Sequence, residues 1–146
     1  MVVGDDNIRL KSNPRFFMQY LLTLYANESV WSNMSKTEQE RGVAAYAAYG
    51  EALKAAGALL GLNRLQSIST ATTVRKINGK TQVLDGPYVD SKEQLGGYYL
   101  IDVADLDAAL SWAARCPASS HGVVEVRPIW NVSEYSRAEN LQQATA

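Results

Sequence analysis

A single cysteine, Cys116, excludes any disulfide within the chain and fits a reducing compartment. A single histidine, His121, excludes a metal site built from several imidazoles, and no metal is expected. An excess of one charge is also missing. The 14 basic and 15 acidic side chains leave a formal net charge of −1, so nothing electrostatic points to nucleic acid or an anionic membrane. No apolar run approaches bilayer-spanning length, and Met1 to Arg15 lacks the apolar centre of a secretory signal. G-x-G-x-x-G and P-loop spacings are absent, so no nucleotide cofactor is expected. A G-x-S-x-G nucleophile elbow is absent as well. These absences lead to a cytoplasmic protein without a cofactor, in which the sequons at Asn27, Asn33 and Asn131 are chance matches.

What remains is ordinary globular composition, 47% hydrophobic and 20% charged, in 146 residues that fit one domain with a real core. Residues 1–15 are polar and aperiodic and read as an arm, and 131–146 read as a polar tail. Phe16 to Tyr25 alternates as a strand, with Phe16, Met18, Tyr20, Leu22 and Leu24 on an apolar face and Phe17, Gln19, Leu21, Thr23 and Tyr25 on a mixed one. Ser35 and Glu38 form a capping box that opens a helix to about Ala56, with Val43, Tyr46, Gly50 and Leu53 at helical spacing and Gly57 as its stop. Ala58 to Leu65 reads as a second strand despite Gly61 and Asn63. Asn78-Gly79 joins 70–77 to 80–84 as a hairpin. Tyr98 to Val103 is a near-continuous apolar run, the pattern of a central strand covered on both sides. Asp105 caps a short helix through Arg115, and Val123 to Trp130 is the last strand.

That order predicts an α+β, ferredoxin-like sheet with helices on one face and an added ribbon. The other face carries Phe17, Leu21, Tyr25, Val123 and Ile129, too apolar to be left in water.

Three stretches stand out: DGPYVDSKEQLGGYYLIDV at 85–103, WAARCP at 112–117 and VVEVRPIW at 123–130. Together they resemble the YCII-related family, in particular its DGPF-domain branch, across 16–130, although Tyr88 stands where the branch has Phe. The resemblance implies a homodimer in which two sheets stack into a dimeric α+β barrel. Relatives carry a His early in the first helix and an Asp after the second as an acid–base pair. Alignment on Gly57 and on WAARCP puts Tyr46 and Cys116 at those positions, so that chemistry does not carry over.

Candidate site residues follow from the strand faces. On the last strand, Val124, Val126, Pro128 and Trp130 suit packing against helices, which turns Glu125 and Arg127 toward the open, dimer-facing side. Pairing with the first strand would bring Gln19, Thr23 and Tyr25 beside them, and the other neighbour would add Tyr98 and Asp102. Such a polar group in an apolar cleft suits a small polar or anionic ligand. It equally suits a structural ion pair across the dimer interface. Asp85 and Lys92 flank a turn and connector that either cover a cleft or lie solvated. Gly96-Gly97 reads as close backbone packing rather than a phosphate loop. Tyr46 fits core packing, with a phenol that can donate but whose pKa near about 10 makes it a poor base. His121 reads as a solvated loop residue and Cys116 as an inert thiol.

Two functions fit. The protein is a small-molecule binder or enzyme using the cleft on the dimer-facing side, or a non-catalytic dimer acting in regulation or assembly through protein partners recruited by its polar ends.

Overall fold

Alternating side chains make Met18–Ala26 the first strand, β1, in a computed structural model that describes residues 17–131. Tyr20 and Leu22 are buried toward the helices, while Leu21, Thr23 and Tyr25 are half-buried on the opposite face. The expected arm at 1–15, Phe16 and the tail beyond Asn131 lie outside the described residues.

A short helix not foreseen in the sequence, α1 (Glu28–Ser32), follows. Asn27 caps it, its side chain accepting from the Ser29 N–H at 3.0 Å. The Gln94 side chain receives the Glu28 N–H at 3.0 Å, and the Glu28 carboxylate in turn receives the Ile68 N–H at 3.1 Å. With Asn33 as the C-cap, two of the three sequon asparagines are helix caps.

The long helix α2 (Lys36–Ala55) opens on the predicted capping box, with both reciprocal hydrogen bonds formed between Ser35 and Glu38. Its buried residues are Tyr49 and Leu53. Val43, expected on the buried stripe, is 55% exposed. The reason is packing. Tyr49 and Leu53 are the residues of α2 that reach the core, with Tyr46 packed against it, while Val43 lines a cavity.

The remaining elements are β2 (Leu59–Arg64), a 3-10 turn (Ile68–Thr70), β3 (Thr72–Ile77), β4 (Lys80–Asp85), β5 (Gln94–Val103), α3 (Leu106–Arg115), α4 (Ala118–His121) and β6 (Val123–Pro128). The main sheet runs β2-β5-β1-β6, with each neighbouring pair antiparallel. This is the ferredoxin-like α+β arrangement, and β3 and β4 form the separate added ribbon. The ribbon turns on Asn78 at φ +51° and Gly79 at φ +78°, the positive pair that a two-residue hairpin demands.

The core joins Tyr20 and Leu22 of β1, Tyr49 and Leu53 of α2, Tyr99, Ile101 and Val103 of β5, and Ala109 and Ala113 of α3. The Tyr49 hydroxyl donates to the Trp112 carbonyl at 2.7 Å, which satisfies a buried phenol. β5 was expected to be covered on both sides. Within one chain only its helix side is buried, and Tyr98, Leu100 and Asp102 remain half-exposed. β6 ends at Pro128 rather than Trp130, and Trp130 is 80% exposed. The awkward Gly61 sits at a register shift of β2 against β5, which absorbs it. Gly97 is required by close approach, because a Cβ there would lie 2.7 Å from the Asn63 carbonyl oxygen.

Candidate ligand-binding site

Residues of α1, α2, α4, β2 and β5 line a solvent-open cavity of about 1420 Å³ on the helix side of the sheet. Leu24, Leu59, Leu62 and Tyr99 line its sheet side, and Val43, Tyr46, Ala47 and Gly50 line its helix side. Trp31 of α1 closes one end. The indole lies so close to α2 that a Cβ on Gly42 would come within 2.8 Å of it. The volume exceeds the roughly 300–1,000 Å³ of common ligand pockets, so a small organic molecule fits without displacing side chains.

Charged and polar side chains share the lining with these apolar ones, and two arrangements among them stand out. On one wall the Tyr46 hydroxyl lies 3.0 Å from Nε2 of His121, with the two rings edge to face at 6.3 Å. Half-burial pushes the Tyr46 phenol up to about 12, assisted by the nearby Cys116, while Arg64 offsets part of the rise. Tyr46 therefore keeps its proton at neutral pH and can donate to, or accept from, the imidazole according to its tautomer. In the other arrangement, the Arg64 guanidinium lies over the Trp31 ring, 4.7 Å from its centroid. Among the described residues no carboxylate pairs with Arg64, since the one ion pair there is between Arg127 and Glu125.

Cys116 is buried, and burial raises its thiol while a backbone hydrogen bond from Ala118 acts the other way. Its burial agrees with the inert thiol read from the sequence. Among the described residues no cluster of His, Cys, Asp and Glu could hold a metal ion.

The expected site residues divide among several places. Glu125 and Arg127 do lie on the open face of the sheet, where they bond to each other at 2.8 Å with side chains 45% and 74% exposed. The register places Arg127 opposite Leu21, Glu125 opposite Thr23, and Tyr25 opposite Val123. Across the other edge of β1, Gln19 faces Asp102 and Thr23 faces Tyr98, whose hydroxyl receives a hydrogen bond from Asn63 at 2.8 Å. Partial burial raises the Asp102 carboxyl above its ordinary range. Tyr98 also borders the helix-side cavity, and Tyr46 is on its wall. Lys92 borders a shallower depression of about 410 Å³ that shares His121 with the cavity. Asp85 ends the ribbon opposite Thr72 and lines neither space.

Three residues of the cavity were not singled out: Trp31, Arg64 and, as a partner of Tyr46, His121. His121 is exposed, as expected, but it is not on a loop. It sits on α4, a turn of helix that the Pro-Ala-Ser-Ser-His-Gly segment forms in place of the expected loop. One signal was available in hindsight, since a lone Trp flanked by two Asn caps marks a short packed helix. Nothing local announced Arg64.

Comparison with known proteins bears on the same stretch. Residues 18–133 match the YCII-related domain. The chain belongs to the YCII-related family. An uncharacterised protein of Rhizobium meliloti (strain 1021) is 42% identical over 114 residues, covering 77% of this chain and 92% of that relative. Membership of the YCII-related family agrees with the motifs at 85–103, 112–117 and 123–130. The matched region holds the sheet and helices described above, and with them both walls of the cavity.

Proposed function

We propose that this YCII-related protein binds a small organic molecule in the helix-side cavity, with Tyr46 and His121 as its hydrogen-bonding pair. The observation that carries the reading is the 3.0 Å contact between the Tyr46 hydroxyl and His121 Nε2 on the wall of a cavity that Leu24, Leu59, Leu62 and Tyr99 also line. A protonated phenol against an imidazole is also an arrangement that can move a proton, so acid–base chemistry on the bound molecule is within its reach. A thermal-shift screen against a metabolite panel tests this, because a ligand of the native state alone raises the melting temperature. Hits should stabilise the wild type and lose their effect in Tyr46→Phe and His121→Ala. Hits that keep their effect in both variants but lose it in Arg127→Met would move the site to the open face of the sheet.

We also propose that the open face is covered by a second copy of the chain. Phe17, Val123 and Ile129 are exposed on it at 42%, 50% and 38%, and Leu21 and Tyr25 are half-buried. The Thr23 hydroxyl on the same face is shut off from solvent and lacks a hydrogen-bond partner among the described residues. In that dimer the Glu125–Arg127 pair is an interface ion pair. A regulatory or assembly role through protein partners is the alternative. It gains support if no small molecule stabilises the protein and a partner is retained only by the chain with its tail. No helix among the described residues is long and apolar enough to cross a membrane, and a lone, reduced Cys116 suits the cytoplasm.

A further inference from the structure

The geometry points to a ligand of one chemical class: a small apolar carboxylic acid, its carboxylate on Arg64 and its body against the wall that carries Tyr46 and His121. This deepens the helix-side reading and rests on it.

The placement of one cation on the cavity wall decides the class. Three carboxylates, Glu28, Glu38 and Glu51, and three cations, Arg41, Lys54 and Arg64, line it, so the charges balance in number. Glu28 accepts the Ile68 N–H at 3.1 Å, and Glu38 accepts the Ser35 N–H at 2.8 Å, which fixes where two of the negative charges sit. Arg64 differs from the other two cations in being held, because its guanidinium is stacked on the Trp31 ring. Stacking occupies one face of the guanidinium and leaves the N–H edge, which among the described residues no carboxylate meets. That edge is a planar fork suited to both oxygens of a carboxylate. A cation held this way offers an anion a donor whose side-chain entropy is already partly spent. Leu24, Val43, Leu59, Leu62 and Tyr99 give the body of the ligand apolar surface on which to leave water, and Tyr46 and His121 supply the second polar contact. Arg64 already acts on the electrostatics of the Tyr46 phenol, which places the anion and the phenol within one field. A cationic ligand would be repelled by Arg64, and a neutral one would leave its fork unanswered.

Ligand-observed NMR titration with three probes of one shape tests this: 1-naphthoate, 1-naphthamide and 1-naphthylmethylamine. They are titrated into wild type, Arg64→Met, Arg64→Lys and Ala47→Trp, the last filling the cavity from an exposed position on α2. Circular dichroism confirms that each variant is folded. The inference expects naphthoate to bind the wild type about tenfold or more tightly than the amide, the difference a charge-assisted hydrogen bond makes. Arg64→Met should erase that preference, Arg64→Lys should keep part of it, and Ala47→Trp should remove binding of every probe. Equal binding of all three probes, unaffected at Arg64 but lost in Ala47→Trp, would overturn the carboxylate and leave the cavity standing. Binding untouched by Ala47→Trp, or no binding of any probe at millimolar concentration, would overturn both.

Discussion

Tyr46 and His121 lie 75 residues apart in the chain, and only the fold makes them neighbours. Their meeting was illegible in the sequence because nothing local to His121 specifies α4, whose turn aims the ring at α2. Alignment with the family singled out Tyr46, and the helix period read it as core packing. That period also included Val43 and passed over Tyr49, because apolar spacing cannot tell a helix residue that reaches the core from one that lines a cavity. Glu38 was fully legible, since a capping box is a short-range pattern. Its carboxyl is held below the ordinary 4.5, chiefly by the Ser35 backbone N–H and then by the Ser35 side chain. A folded-state pKa below the unfolded one means the contribution is present above the unfolded value and is lost as pH falls through the folded one. Glu38→Gln should therefore melt below wild type at pH 7, and the gap should close on acidification below 4.5. Melting curves across that range check it, and a gap that does not change with pH would remove the charge from the cap.

Among elements, those with dense local signals were read closely, and those whose character depends on partners were not. The ribbon of β3 and β4 was legible in one dipeptide, Asn78-Gly79, whose positive φ values a β-branched side chain resists. Gly79→Val should lower stability by roughly 1 kcal/mol or more, seen as a lower denaturant midpoint at unchanged slope. An unchanged midpoint would mean that the turn tolerates the strain. The core strands were equally readable from alternation, and their register confirms which residues of β1 and β6 share a face. By contrast, α1 was missed because five residues cannot stand as a helix alone. Its caps, its anchor to Gln94 and the packing of Trp31 on Gly42 create it, and two of those three lie far away in sequence. The cavity end formed by Trp31 and Arg64 was hidden for the same reason.

At the scale of the whole molecule, the sheet order and the placement of helices on one face were legible from element order alone. The position of the helix-side cavity was not, because it depends on how α1, α2, α4 and the sheet come together. The uncovered face leads to a prediction about assembly. Fully burying a Leu or Ile contributes on the order of 1.5–3 kcal/mol, and the exposed part of Leu21 and Ile129 would yield a share of that under the proposed second copy. Sedimentation should find a dimer at micromolar concentration, and Leu21→Asp should give monomers or aggregates. A wild-type protein that sediments as a stable monomer would defeat the dimer without touching the cavity. The central claim is the location of the ligand, and the most direct measurement is a crystal structure after soaking with the best-stabilising compound of the thermal-shift screen. The account predicts density between α2 and the sheet, within hydrogen-bond reach of the Tyr46 hydroxyl or His121. Density on the open face beside Arg127, with the helix-side cavity filled only by water, would contradict it.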